Sequence, residues 1–125
     1  MLSRALLQKI LPFWIAVLFL GSFLSEESKR AIGTQSGYEG TRWGHFIWHV
    51  GSFCITGLLV SWAYGPRRLR MLMALFGFCI TIEALQWLLF PIQFEWWDIR
   101  DDGFGILAGA LVGEWVWLRR RWLTE

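Results

Sequence analysis

Four long apolar runs constrain this chain more than anything else in it. They cover roughly residues 5–24, 45–64, 71–90 and 103–118. A helix needs about 20 predominantly apolar residues to cross the hydrocarbon of a bilayer. A soluble domain of 125 residues that is 55% hydrophobic, with ten Trp and ten Phe, could not hide so many apolar runs from water. The expected fold is therefore all-α: an integral membrane bundle of about four transmembrane helices, in one domain over residues 1–125. The fourth run is the shortest and is rich in glycine. Membrane lipids are the expected surroundings. The net charge of +2 is small, and no basic stripe with interleaved aromatics occurs, so no nucleic-acid partner is expected. Cys54 and Cys79 both lie inside apolar runs without a CxxC spacing, and read as reduced core residues.

The charges orient the runs. Arg4 and Lys9 precede the first, the 65–70 segment GPRRLR carries three arginines, and Arg119, Arg120 and Arg121 follow the fourth. The 91–102 segment has Arg100 among Glu95, Asp98, Asp101 and Asp102, and the 25–44 segment mixes both signs. Positive charge concentrates on the cytoplasmic side, so both termini are expected there, with the 25–44 and 91–102 segments outside. Basic residues before an apolar run also describe a signal peptide. GSFLSEES is a poor cleavage site, however, so the first run is expected to remain as a helix, with Pro12 near its start. Trp43, Trp48, Trp87, Trp96 and Trp97 would mark the outer interface, and Trp62, Trp115, Trp117 and Trp122 the inner one.

Against this background Glu83 is anomalous. A carboxylate within a membrane helix costs about 2.5–3.5 kcal/mol or more on insertion scales. The rise per residue puts Glu83 roughly 4 Å outward of the midpoint of the third run, and Gln86 roughly 8 Å outward on the same face. His45 and His49 share a face of the second run, with His49 at about the depth of Gln86. Asp98 and Asp102 precede the fourth run on the outer side and are one turn apart if that stretch is helical. Three segments thus bring polar residues to one level. Intramembrane ionisable groups that find partners are functional candidates, against the alternative of a hydrogen-bonded knot around a protonated Glu83.

A metal is the weaker reading, because HxxxH lacks the glutamate of HExxH and Glu83 stands on another helix; neither metal nor other cofactor is expected. Acid–base chemistry by His45 or Asp98 suits the water boundary, but Ser52 and Cys54 lie deeper and are poor nucleophile candidates. Glu114 reads as a snorkelling or interhelical hydrogen-bonding residue. Gly105, Gly109 and Gly113 form a GxxxGxxxG ridge for close helix approach, to another helix of this chain or to a second subunit.

Three blocks resemble the VanZ-like family of small bacterial membrane proteins: TRWGHF at 41–46, ITIEALQ at 80–86 and DIRDDGFGILAG at 98–109. The similarity covers roughly 38–118. The resemblance implies that the family's polar positions fall on His45, Glu83, Gln86, Asp98 and Asp102. It differs at Thr41 and Arg42, where the family usually has Asp and Lys, at His49, where Tyr is common, and at Gln93, near which the family usually has Arg. The family is named for an accessory protein of glycopeptide-resistance clusters. The resemblance therefore implies an envelope protein that lowers sensitivity to teicoplanin-type glycopeptides. In this reading an outward pocket, with His49 beside the family positions, takes a headgroup, a lipid-linked precursor or the drug. A membrane enzyme acting on a lipid-linked substrate, or an accessory subunit docked through the glycine ridge, are the alternatives.

Overall fold

The computed structural model describes residues 3–24, 42–90 and 94–124. Gln93, Thr41 and the charged residues of the 25–41 segment lie outside them, as does the side chain of Arg42. Among the described residues four helices follow in order: α1 (Arg4–Ser22), α2 (Arg42–Tyr64), α3 (Arg68–Leu89) and α4 (Trp96–Thr124). A short 3₁₀ turn, Gly65–Arg67, joins α2 to α3. Gly65 has φ +50°, a left-handed conformation that costs glycine little. With Pro66 behind it, the chain reverses within one turn.

Three helices are long and apolar enough to cross a membrane: Arg4–Ser22, Trp43–Tyr64 and Arg68–Leu89. The fourth expected span does not reach that standard. Although α4 has 29 residues, its apolar part, 103–118, lies between Asp102 and Arg119 and is interrupted by Glu114. At 1.5 Å per residue that part covers about 24 Å, short of a hydrocarbon core of about 30 Å. All three spans present apolar residues to their surroundings as well as to the core. Phe13, Leu20, Met73 and Leu88 are between 65% and 72% exposed. A helix apolar on every face belongs in lipid or deep in a large core, and this chain is too small to supply the latter.

Helix α1 starts from Ser3, whose Oγ accepts from the Leu6 amide at 3.2 Å. Pro12 lies in its interior rather than at its start, so the Gln8 carbonyl loses its helical donor, a loss tolerated in membrane helices. α1 runs antiparallel to α2: Gln8 Nε2 donates to Ala63 O at 3.0 Å, and Trp14 Nε1 to Thr56 Oγ1 at 2.9 Å. At the far end α1 meets α3 through Phe19 on Phe78 and Phe23 on Phe90, with ring centroids 6.0 and 6.1 Å apart. Leu11, Phe53, Val60, Leu75, Cys79 and Ile106 form the buried core.

α2 and α4 run parallel, in a nearly constant register. His45 faces Asp98, His49 faces Asp102, Val50 faces Gly105, Cys54 faces Gly109 and Ser61 faces Gly113. The glycine ridge is thus taken up by α2 of the same chain. A Cβ on Gly105 would lie 2.6 Å from Val50 O, and one on Gly113 2.8 Å from Ser61 Cβ. On Gly109 it would overlap Cys54 O. Gly57, on α2, makes the reciprocal approach to the Ile106 carbonyl.

The two ends of the bundle differ. Arg4 lies against Gly65, and Arg68 forms an ion pair with Glu114, so the basic ends of α1, α3 and α4 gather at one end. Glu114 is therefore an interhelical partner of α3. Arg119 stacks on Trp115 nearby, at 5.4 Å. His45, Glu83 and Asp98 occupy the opposite end. The buried Trp62 indole N–H has no acceptor among the described residues.

Candidate functional site

α4 already begins at Trp96, so Asp98 and Asp102 stand one helical turn apart. His45 and His49 do the same on α2, and the parallel register sets the two pairs face to face. His49 Nδ1 lies 2.7 Å from Asp102 Oδ1. With Asp102 ionised its carboxylate only accepts, and Nδ1 then carries the proton and donates it. That fixes the ring and turns Nε2 toward Asp98, 3.8 Å from its Oδ2. His45 Nδ1 lies 3.6 Å from Asp98 Oδ1, and the two imidazoles stack with centroids 4.4 Å apart. Asp98 thus sits between two histidines.

Burial decreases along the cluster. The Asp102 side chain is 10% exposed, that of His49 22% and that of His45 47%, so the group opens to its surroundings at His45. Asp98 lies in the first turn of α4, ahead of the apolar stretch. Burial pushes its carboxyl up to about 7; His49 pulls it back, while the carboxylates of Glu95, Glu83 and Asp102 add to the rise. Three acidic groups close to a fourth at the end of an apolar bundle are a good setting for a cation, or for a proton shared among them.

Glu83 is buried and close to His49 and Asp102, but its direct bond is to the backbone. Its Oε1 accepts from the Glu95 amide at 2.5 Å. Glu95 immediately precedes α4, so a side chain of α3 holds the start of the helix that carries both aspartates. Gln86 is not brought into the group. Its Nε2 donates to Ser22 O at 2.7 Å and ties α3 to the end of α1, so it does not orient Glu83.

Two further side chains belong to the neighbourhood. The Cys79 thiol lies near Asp102 and donates to Leu75 O at 3.3 Å. Its place one turn before Glu83 on α3 is the signal that marks it, although its residue type reads as core. Asp101 is 4% exposed and is paired by Arg100, whose Nη2 lies 2.6 Å from its Oδ1. The Arg100 guanidinium rests on Trp97 at 4.6 Å. Its cation therefore serves Asp101 and leaves Asp98 to the histidines. Compared with known proteins, the chain matches no family model, no curated protein and no solved structure, so the VanZ-like resemblance rests on its three sequence blocks alone.

Proposed function

We propose that this chain is a VanZ-like envelope protein of a bacterial cytoplasmic membrane, with α4 as its fourth span and both termini in the cytoplasm. Its histidine–carboxylate cluster faces outward and binds the polar part of an envelope ligand: a lipid headgroup, a lipid-linked precursor or a glycopeptide. The observation that carries this reading is the meeting of His45, His49, Asp98 and Asp102 at the end of the bundle away from the arginines. Holding four ionisable groups against one another in a membrane bundle costs free energy, and such groups are functional candidates by default. Glu83 supports them by fixing the start of α4.

The test is teicoplanin susceptibility of a sensitive Gram-positive host expressing wild type, Asp98→Asn or His49→Gln at matched membrane levels. The reading expects protection by the wild type and its loss in both variants. Protection kept in both would reduce the cluster to scaffolding, and no protection by the wild type would remove the glycopeptide role. A second reading has the same cluster acting as an acid–base centre on a lipid-linked substrate. It is favoured by the 2.7 Å bond from Asp102 that orients His49. It requires turnover of a labelled lipid substrate by purified protein, lost in His49→Gln.

A further inference from the structure

The sequence argues against a metal because the HxxxH pair has no carboxylate on its own helix. The parallel packing of α2 and α4 supplies one. His45, His49 and Asp98 each offer a ligand atom, and these atoms all lie within 4.8 Å of one another. In a tetrahedral zinc site with bonds of about 2.0–2.1 Å, ligand atoms stand roughly 3.3–3.4 Å apart. Asp98 lies 3.6 Å from His45 and 3.8 Å from His49, so small side-chain rotations would complete the geometry.

A partner that orients one ligand is already in place. A metal-bound histidine almost always gives its other ring N–H to a carboxylate or carbonyl, which fixes the tautomer and makes the ligating nitrogen more basic. His49 does this with Asp102 at 2.7 Å, and the nitrogen so released is the one facing Asp98. Asp102 is itself buried. The arrangement therefore consists of three ligands, one orienting carboxylate and a mouth at the half-exposed His45.

We infer that His45, His49 and Asp98 bind a divalent transition metal, zinc by ligand preference, at the end of the bundle opposite the arginines, with Asp102 positioning His49. Two imidazoles and one carboxylate suit Zn²⁺ over Mg²⁺ or Ca²⁺, which prefer all-oxygen shells. Three protein ligands leave a fourth position for water or for an anionic group of a ligand, the pattern of sites that bind or react rather than merely hold a fold together. This inference rests on the cluster of the proposed pocket but not on the identity of its ligand.

The experiment uses full-length protein in detergent, washed with chelator and titrated with Co²⁺, then with Zn²⁺ in competition. The expected result is one metal per chain, with the visible absorption of tetrahedral Co²⁺ bound by nitrogen and oxygen and no thiolate charge-transfer band. Asp98→Asn and His45→Ala should abolish the spectrum. Asp102→Asn should weaken binding about 10–100-fold, while Glu114→Gln, at the other end of the bundle, should leave it unchanged. Helical circular dichroism and a monodisperse elution profile check that each variant is folded. Absence of saturable binding by the wild type, or binding undiminished in the folded His45→Ala/Asp98→Asn double variant, would overturn the inference. Neither result bears on the susceptibility test, so failure of the metal site and failure of the pocket reading are distinguishable.

Discussion

Adding a single methyl group at Gly109 tests the packing on which the site depends. A Cβ there would overlap the Cys54 carbonyl and lie 2.8 Å from Leu58 N, both of them backbone atoms of α2. Neither can turn aside as a flexible side chain would. Ordinary contact needs about 3.5–4.0 Å, so the two helices must part by roughly 1.5 Å or more. A gap of 0.5–1 Å already forfeits about a quarter to a half of the dispersion energy of the atoms facing it. Overpacking of this kind costs about 1–3 kcal/mol, with the larger value expected because backbone faces backbone. Gly77 on α3 is the control, since a Cβ there meets nothing within 4 Å. Gly77→Ala should gain up to about 1 kcal/mol from helix propensity. The two glycine-to-alanine changes are thus expected to have opposite signs. The assay is reversible unfolding in mixed micelles followed by circular dichroism. Gly109→Ala as stable as wild type would refute the close approach of α2 and α4.

Four other outcomes follow from the polar contacts. Trp14→Phe keeps an aromatic side chain but removes the indole N–H that donates to Thr56, and the lost hydrogen bond should cost about 0.5–1.5 kcal/mol in the same unfolding assay. Glu83→Ala strips the Glu95 amide of its acceptor and should cost about 1–3 kcal/mol, with faster hydrogen exchange at that amide; Glu83→Gln retains an acceptor oxygen and should lose less. A double-mutant cycle on Arg68 and Glu114, both partly exposed, should return a coupling of about 0.2–1 kcal/mol that shrinks with added salt. Gln86→Leu should loosen the α1–α3 contact, seen as faster exchange at the end of α1, while leaving the His49–Asp102 pair unchanged.

The helices were legible in the sequence because lipid demands long apolar runs, and the runs announce themselves. The start of α4 is the exception. Its first two turns, Trp96–Asp102, carry four charged residues among seven and break the apolar pattern, yet are helical because Glu83 fixes their start and α2 packs along them. The convergence of His45, His49, Asp98 and Asp102 could be read from depth along each helix. Depth and a shared face do not say which neighbour that face meets, however, and this is why Gln86 reads as part of the cluster. It shares the level of His49 but faces α1. Cys79 and Glu114 show the reverse limit: their spacings were visible, but which helix each faces depends on how the bundle closes.

The glycine ridge and the histidine–carboxylate cluster form one device. Both lie along the single seam between α2 and α4, and they occur in sequence along it: His45 with Asp98, His49 with Asp102, then Gly105, Gly109 and Gly113 against Val50, Cys54 and Ser61. A histidine and an aspartate have short side chains, so they bond across two parallel helices only where the backbones come unusually close. The glycines, with Gly57 opposite, provide that approach. They also set the register, because the spacing that seats Gly109 on Cys54 O is the spacing that places Asp102 on His49. Shifting either helix by one residue would separate both pairs at once. A methyl group at Gly109 should therefore do more than destabilise the protein. It should also weaken Co²⁺ binding at His45, His49 and Asp98, two to three turns away and with no ligand altered, whereas Gly77→Ala should leave it intact. Full metal affinity in a folded but destabilised Gly109→Ala protein would show that the site holds its own geometry, and the dependence of chemistry on packing argued from the shared seam would be wrong.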